Sequence, residues 1–215
     1  LFFPHAFSAF HKGEGTLAAN TQGNDIFGGD PLCAIIPTCV RFPCPRKEMF
    51  HGVLIDVTHM QVRLPNGQTA LREVVRHKGA AAVVPVDDEG NVYLVRQHRV
   101  VVDLMTLEIP AGKLDYVGED PLACAHRELE EETGLRAGKM EKLTHVVTTP
   151  GLCTEQIGLY LATELSQHED HPDPDEFLHV EKMPLSEAVS RVMSGELCDA
   201  KTALGLLMAW QKLHA

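Results

Sequence analysis

Nothing in this 215-residue chain approaches the run of about 18–20 apolar residues that a membrane-spanning helix needs. The longest apolar stretches, such as residues 80–86, have the length of a strand, so no membrane partner is expected. Basic charge is also short. Nineteen Lys and Arg stand against thirty Asp and Glu, a net charge of −11. A surface that tracks nucleic acid should be basic, because phosphate neutralisation dominates that affinity, so a polynucleotide partner is not expected. A small phosphorylated substrate stays open, since metal ions can screen its charge from protein carboxylates. The six cysteines (Cys33, Cys39, Cys44, Cys124, Cys153 and Cys198) contain no CxxC pair. Cys33, Cys39 and Cys44 can be read as part of a zinc site, but their spacing is irregular. Reduced thiols in a cytoplasmic protein are the favoured reading, in keeping with the lack of a basic start followed by a clean apolar core. No internal repeat is visible.

What is there is ordinary in bulk: 44% hydrophobic and 23% charged residues, the balance of a globular protein with one good-sized core. Residues 1–45 depart from it. Five prolines (Pro4, Pro31, Pro37, Pro43, Pro45) and several glycines interrupt them, and no helical or alternating period runs through. With Leu1 first and the first methionine at Met49, this stretch is read as an irregular, poorly ordered extension. Residues 46–78 read as a small strand subdomain and 79–215 as the main domain. In the first, 52–64 makes a strand or two, closed by Pro65-Asn66-Gly67, and 69–77 another. In the second, 80–86 is a buried strand, 87–91 a hairpin turn and 92–98 its partner. A short strand at 107–109, a pair at 143–149 and 156–163, and one at 177–182 complete the set. Three helices are expected. The first covers 121–133, with Asp120 as cap, Pro121 in the first turn and Gly134 as the stop. The others lie near 186–194 and 200–213, the last with Leu204, Leu207 and Trp210 on or near one face. Strands interleaved with few helices predict an α+β fold with a mixed sheet.

The most informative segment is Arg127-Glu128-Leu129-Glu130-Glu131-Glu132-Thr133-Gly134-Leu135. At about 100° per residue, Glu128, Glu131 and Glu132 share an arc of about 100° on the helix, and Glu130 points to the far side. Leu122, Ala125 and Leu129 form the adjoining apolar stripe. Like charges at these spacings cost about 0.2–0.5 kcal/mol per pair. They also sit toward the helix C-terminus, where the dipole prefers cations. A solvated acidic face is the bland alternative. A divalent cation, which favours convergent oxygen ligands together with substrate phosphates, is the sharper one.

These residues carry a resemblance. The stretch from Gly112 to Leu135 resembles the Nudix box: a glycine, a spacer, a glutamate, seven residues, then Arg-Glu-hydrophobic-x-Glu-Glu-x-Gly-hydrophobic. From Glu119 seven residues lead to Arg127, and every later position matches. The departure is in the spacer, where residues 113–118 number six against five in the family pattern. The extra residue, Tyr116 or Val117, leaves open whether Glu119 still reaches its place. The resemblance implies a Nudix-type mixed sheet between helices, with a small N-terminal antiparallel sheet. It implies Glu128, Glu131 and Glu132 as metal ligands and catalytic residues, with the Ala111 carbonyl as a further ligand and Mg²⁺ or Mn²⁺ as the ion. Gly112, Glu119, Arg127 and Gly134 would be structural, with Arg127 also the electrostatic partner that orients acids in the loop and helix, and Glu130 an ordinary surface acid.

Outside the box, the chain is similar to the ADP-ribose pyrophosphatase branch at Leu94-Val95-Arg96-Gln97-His98-Arg99, at Leu107-Glu108-Ile109-Pro110-Ala111-Gly112-Lys113, at Pro150 and at Asp199-Ala200-Lys201-Thr202. That implies hydrolysis of the diphosphate of ADP-ribose or a related nucleoside diphosphate sugar, giving AMP and a sugar phosphate. Arg99 would contact substrate, because its planar fork suits phosphate oxygens. Arg96 lies on the opposite strand face and is expected in a surface salt bridge. Glu108 either accepts from substrate, positions a metal-bound water, or holds the loop into the box. The general base is sought in the acidic, proline-broken stretch 168–176, with Glu176 or Asp175 favoured. A homodimer pairing through the N-terminal strands is also implied. Two rivals stand beside this reading: a Nudix hydrolase for another nucleoside diphosphate derivative, and a non-catalytic nucleotide-binding module.

Overall fold

A computed structural model describes residues 46–168 and 178–215 of the chain. The assignment of residues 1–45 as an irregular extension lies outside them, as do Asp175 and Glu176.

The fold is organised around the strand β4 (Ala80–Pro85), whose six residues are all buried. Its sequence, Ala-Ala-Ala-Val-Val-Pro, has no polar side because it has no solvent side. Successive side chains point to opposite faces. Ala80, Ala82 and Val84 enter one core cluster, with Ile109, Leu159, Leu161, Leu206 and Ala209. Ala81 and Val83 enter the other, with Cys124, Ala125, Leu129 and Tyr160. Both edges of β4 are occupied. On one side it pairs antiparallel with β7 (Ala111–Lys113), and on the other parallel with β9 (Gln156–Gln167), which continues to β8 (Leu135–Val147). A second sheet runs β10-β5-β6, from His179–Pro184, Asn91–Arg99 and Leu104–Glu108.

The expected hairpin between β4 and β5 is only half formed. Its turn is present: the Asp87 carboxylate accepts from the amides of Glu89 and Asn91, and Gly90 takes the positive φ the turn requires. The ladder, however, consists of a single Val86–Val92 bridge. With β7 and β9 already on its two edges, β4 has no hydrogen bonds left for β5, which departs into the second sheet. Strands β8 and β9 run longer than their apolar cores suggested, since antiparallel pairing carries both to Leu135–Gln167, past polar residues that face out.

Helix α1 (Pro121–Thr133) has the expected ends: Asp120 accepts from the Leu122 amide, and Gly134 closes the helix at φ +67°. Ala125 and Leu129 are fully buried against β4, whereas Leu122 is exposed at the rim. Helices α2 (Leu185–Met193) and α3 (Ala200–Leu213) cover the opposite face. The buried side of α3 is Thr202, Gly205, Leu206 and Ala209, and the larger Leu204 and Leu207 face out. Small residues decide this. A Cβ at Gly205 would lie 3.0 Å from both Ile109 and Val84, so the helix seats deeply along its slimmest face.

The strands β1 (Arg46–His51), β2 (Asp56–Arg63) and β3 (Thr69–Arg76) form a separate antiparallel sheet. It joins the main body where Val75 exchanges backbone hydrogen bonds with Leu152 and Thr154, at 2.8 and 2.9 Å. Among the described residues no helix is long and apolar enough to cross a membrane.

Candidate active site

The acid-rich turn of α1 faces the short strand β7. Glu128 and Glu132 are buried, Glu131 is partly so, and Glu130 lies on the other side with its carboxylate on Arg136. The Ala111 amide donates to Glu132 across 3.1 Å. Gly112 sits so close to Glu128 that a Cβ there would fall 2.0–2.2 Å from its carboxylate atoms. The glycine is therefore required by contact: any side chain would displace the acid.

Arg127 gathers the remaining charges. Its guanidinium reaches Glu128 at 2.7 Å, Glu131 at 3.2 Å, Glu119 at 3.6 Å and Asp115 at 3.7 Å, and donates to the Lys113 carbonyl at 3.2 Å. Burial opposes its charge, but Glu128 and the other anions outweigh it and raise its pKa. With its longer spacer, the loop still brings Glu119 to Arg127. Tyr116 and Val117 are exposed on a turn closed by the Glu119 amide and the Tyr116 carbonyl, and the Glu119 carboxylate returns to the Asp115 amide at 2.6 Å. The extra residue is absorbed on the solvent side.

Cys124 lies behind the acids. Its thiol is within 3.9 Å of Glu128 and 3.6–3.7 Å of the Gly112 and Lys113 carbonyls, and burial, then Glu128, push its pKa up to about 12. Cys124, Cys153 and Cys198 are all free thiols.

The donor set suits a hard divalent cation: three carboxylates along one helix edge, next to the peptide backbone of Ala111, with Gly112 leaving room beside Glu128. The carboxylates are not gathered around one point. Among the described residues no three His, Cys, Asp or Glu side chains converge to hold an ion. Instead, Glu128 and Glu131 are held by Arg127, and Glu132 by the Ala111 amide.

Arg99 and Glu108 form a second cluster. Arg99 donates to both Glu108 oxygens, at 2.8 and 2.7 Å, Thr106 donates to one of them at 2.6 Å, and Lys201 caps the other. Burial alone would raise the Glu108 carboxyl, but Arg99, Lys201 and Thr106 bring it down to about 2. Glu108 therefore ties β6 to β5 and to α3. Arg96, as expected from its face, pairs instead with Glu181.

A cleft of about 270 Å³ opens beside the acids, lined by Gly112, Arg127, Glu128 and Glu131 and by His77, Lys78, Lys113, Val53 and Leu54. No motif or periodicity singles out His77, Lys78, Val53 or Leu54. They arrive from the strand subdomain through tertiary contact alone. Lys201 was visible within a motif, without a role.

Comparison with known proteins agrees with this geometry. The NUDIX domain model matches residues 76–201. The ADP-ribose pyrophosphatase of Bacillus subtilis (strain 168) is 44% identical over 163 residues, covering 75% of this chain and 88% of that protein. The methanol dehydrogenase activator of Bacillus methanolicus is 41% identical over 162 residues, 74% of this chain and 87% of that one. A solved structure described as an ADP compounds hydrolase superposes with a TM-score of 0.69 at 21% identity, covering 79% of this chain and 91% of that chain, which establishes the likeness of fold.

Proposed function

The chain belongs to the NUDIX family, and from that premise we propose that it hydrolyses the diphosphate linkage of ADP-ribose or a related nucleoside diphosphate sugar. The products are AMP and a sugar phosphate. The observation that carries the reading is the buried Glu128–Glu132 edge of α1 packed against Ala111 and Gly112, because a structural helix gains nothing from burying two carboxylates so close together. The substrate class is supported by the name of the Bacillus subtilis relative.

In this reading Glu128, Glu131 and Glu132, with the Ala111 carbonyl, hold a divalent cation, Mg²⁺ or Mn²⁺. When bound, that ion neutralises phosphate charge and makes water more acidic. Arg127 spaces the acids, and Gly112 leaves them room. Arg99, its side chain 42% exposed, takes a diphosphate oxygen pair through its planar fork. Water adds to one phosphorus and the bridging P–O bond breaks, with a carboxylate, Glu176 in this proposal, receiving the water proton. The enzyme is cytoplasmic, its thiols reduced, and homodimeric. The dimer is supported by the β1-β2-β3 sheet, which leaves Met49, Phe50 and Leu71 exposed.

The test is a panel of nucleoside diphosphate sugars, dinucleotides and triphosphates with Mg²⁺ or Mn²⁺, with products identified. ADP-ribose, or another nucleoside diphosphate sugar, should be turned over ahead of every triphosphate. A triphosphate favoured about tenfold in kcat/KM, which is 1.4 kcal/mol of transition-state preference, would overturn the substrate class. Absence of turnover with every compound and metal would favour the binding module.

A further inference from the structure

Glu108 is 2% exposed, an almost completely buried carboxylate, and it has more partners than it needs. Its Oε1 accepts from Arg99 Nε at 2.8 Å and from the Thr106 hydroxyl at 2.6 Å. Its Oε2 accepts from Arg99 Nη2 at 2.7 Å and from Lys201 Nζ. Remove Arg99, and each oxygen keeps one donor and the carboxylate keeps one cation. Breaking a buried ion pair is expensive chiefly when it strands the remaining charge. Here nothing is stranded.

The two cations are not equivalent. Arg99 ends β5 with its side chain 42% exposed. Lys201 is in the first turn of α3, its side chain 12% exposed. It is pinned a second time by Asp199 at 3.1 Å. Asp199 in turn caps α3, accepting from the Thr202 amide and hydroxyl, and the Thr202 hydroxyl accepts from the Ile109 amide at 3.0 Å. The fixed cation is thus tied to the backbone that leads into Ala111, while among the described residues the side chain of the exposed one is bonded to Glu108 alone. Its hydrogen bonds to Glu108 raise the Arg99 pKa against the effect of burial, with smaller contributions from Asp199 and Glu132.

We propose that Lys201 is a positioning residue for substrate binding: it holds Glu108 compensated so that Arg99 can leave that carboxylate and engage the diphosphate. Thr106 does the same at the other oxygen. This rests on the reading of Arg99 as a substrate contact. In the Lys201→Met variant, Arg99 becomes the only cation on a buried anion and must desert it to bind phosphate.

A double-mutant cycle tests this in the full-length protein. ADP-ribose affinity is measured by calorimetry in metal-free buffer, and KM and kcat are measured with Mg²⁺. Lys201→Met should weaken binding about tenfold and raise KM correspondingly, the scale of one charged hydrogen bond, with kcat within about threefold. Lys201→Arg should restore most of the affinity. Adding Lys201→Met to Arg99→Met should cost nothing further, because the residue acts through Arg99. Thr106→Val, which does not depend on the Lys201 variants folding, should weaken binding in the wild-type background and be silent in the Arg99→Met background. Multiplying effects in either cycle, or unchanged affinity in Lys201→Met, would overturn the role of Lys201. An Arg99→Met variant that binds as tightly as wild type would overturn the substrate reading of Arg99, and with it this one.

Discussion

Two side chains two residues apart, Glu130 and Glu132, separate site from surface. Glu132 is buried on the β7 side, and Glu130 lies on the far side with Arg136. Glu132→Gln should lower kcat/KM by about 10²-fold or more, because one charged ligand of the proposed cation, which would offset the negative charge developing on phosphate, is lost. Its metal-free melting temperature should hold or rise slightly, since repulsion from Glu128 is relieved. Glu130→Gln, which removes the same charge from the same helix, should stay within about threefold of wild type in kcat/KM, as surface changes usually do. Equal losses from both would mean that the acids act only through net charge. Gly112→Ala is the complementary change, adding one methyl where there is no room. The Glu128 carboxylate must move, so activity should fall about as far as in Glu132→Gln, with little loss of stability, because what gives way is the far end of a flexible side chain. Near-wild-type turnover in Gly112→Ala would show that the position of Glu128 is not critical. The carboxylate edge was legible in the sequence because helical spacing alone places Glu128, Glu131 and Glu132 together. The part of Arg127 as orienter of those acids came only with the family resemblance, because spacing does not say where a long side chain folds back.

At the scale of elements, the helices read most clearly. Asp120, Pro121 and Gly134 fix α1 by local chemistry, and Asp199 fixes the start of α3. What could not be read was which face of α3 is buried. Large apolar residues weight a sequence pattern, yet Gly205 and Ala209 win the core because they allow a closer approach. The missing β4–β5 ladder was equally hidden, since it depends on strands 25 and more residues further on taking the edges of β4. Glu108 joins β6 to β5 and to α3, which gives the junction a pH signature. Its carboxyl is held at about 2, below the ordinary 4.5. A depressed folded-state value means that this stabilisation is complete above pH 4.5 and is lost as pH falls toward 2. Glu108→Gln should be less stable than wild type at pH 7, and the gap should narrow steadily between pH 4.5 and 2. Urea unfolding at several pH values checks it, and parallel curves across that window would exclude the linkage.

For the whole molecule, the three-stranded sheet β1-β2-β3 raises a question of partners. It leaves Met49, Phe50 and Leu71 in solvent and touches the main body through a few residues around Val75, and so slight a sheet is marginal alone. Light scattering at micromolar concentration should report twice the chain mass, and Phe50→Glu should shift the population toward monomer. A monomeric wild-type protein would count against the pairing. At the other extreme stands β4, sealed on both faces and bonded along both edges. Its amides have no local route to solvent, so they should exchange with deuterium only when the entire domain unfolds. The amides of β1 and β2 should exchange far sooner. Because β7 is bonded directly to β4, fluctuations that open the outer sheet would remove one wall of the cleft, at Val53 and Leu54, and leave the pairing of Ala111 and Gly112 with β4 in place.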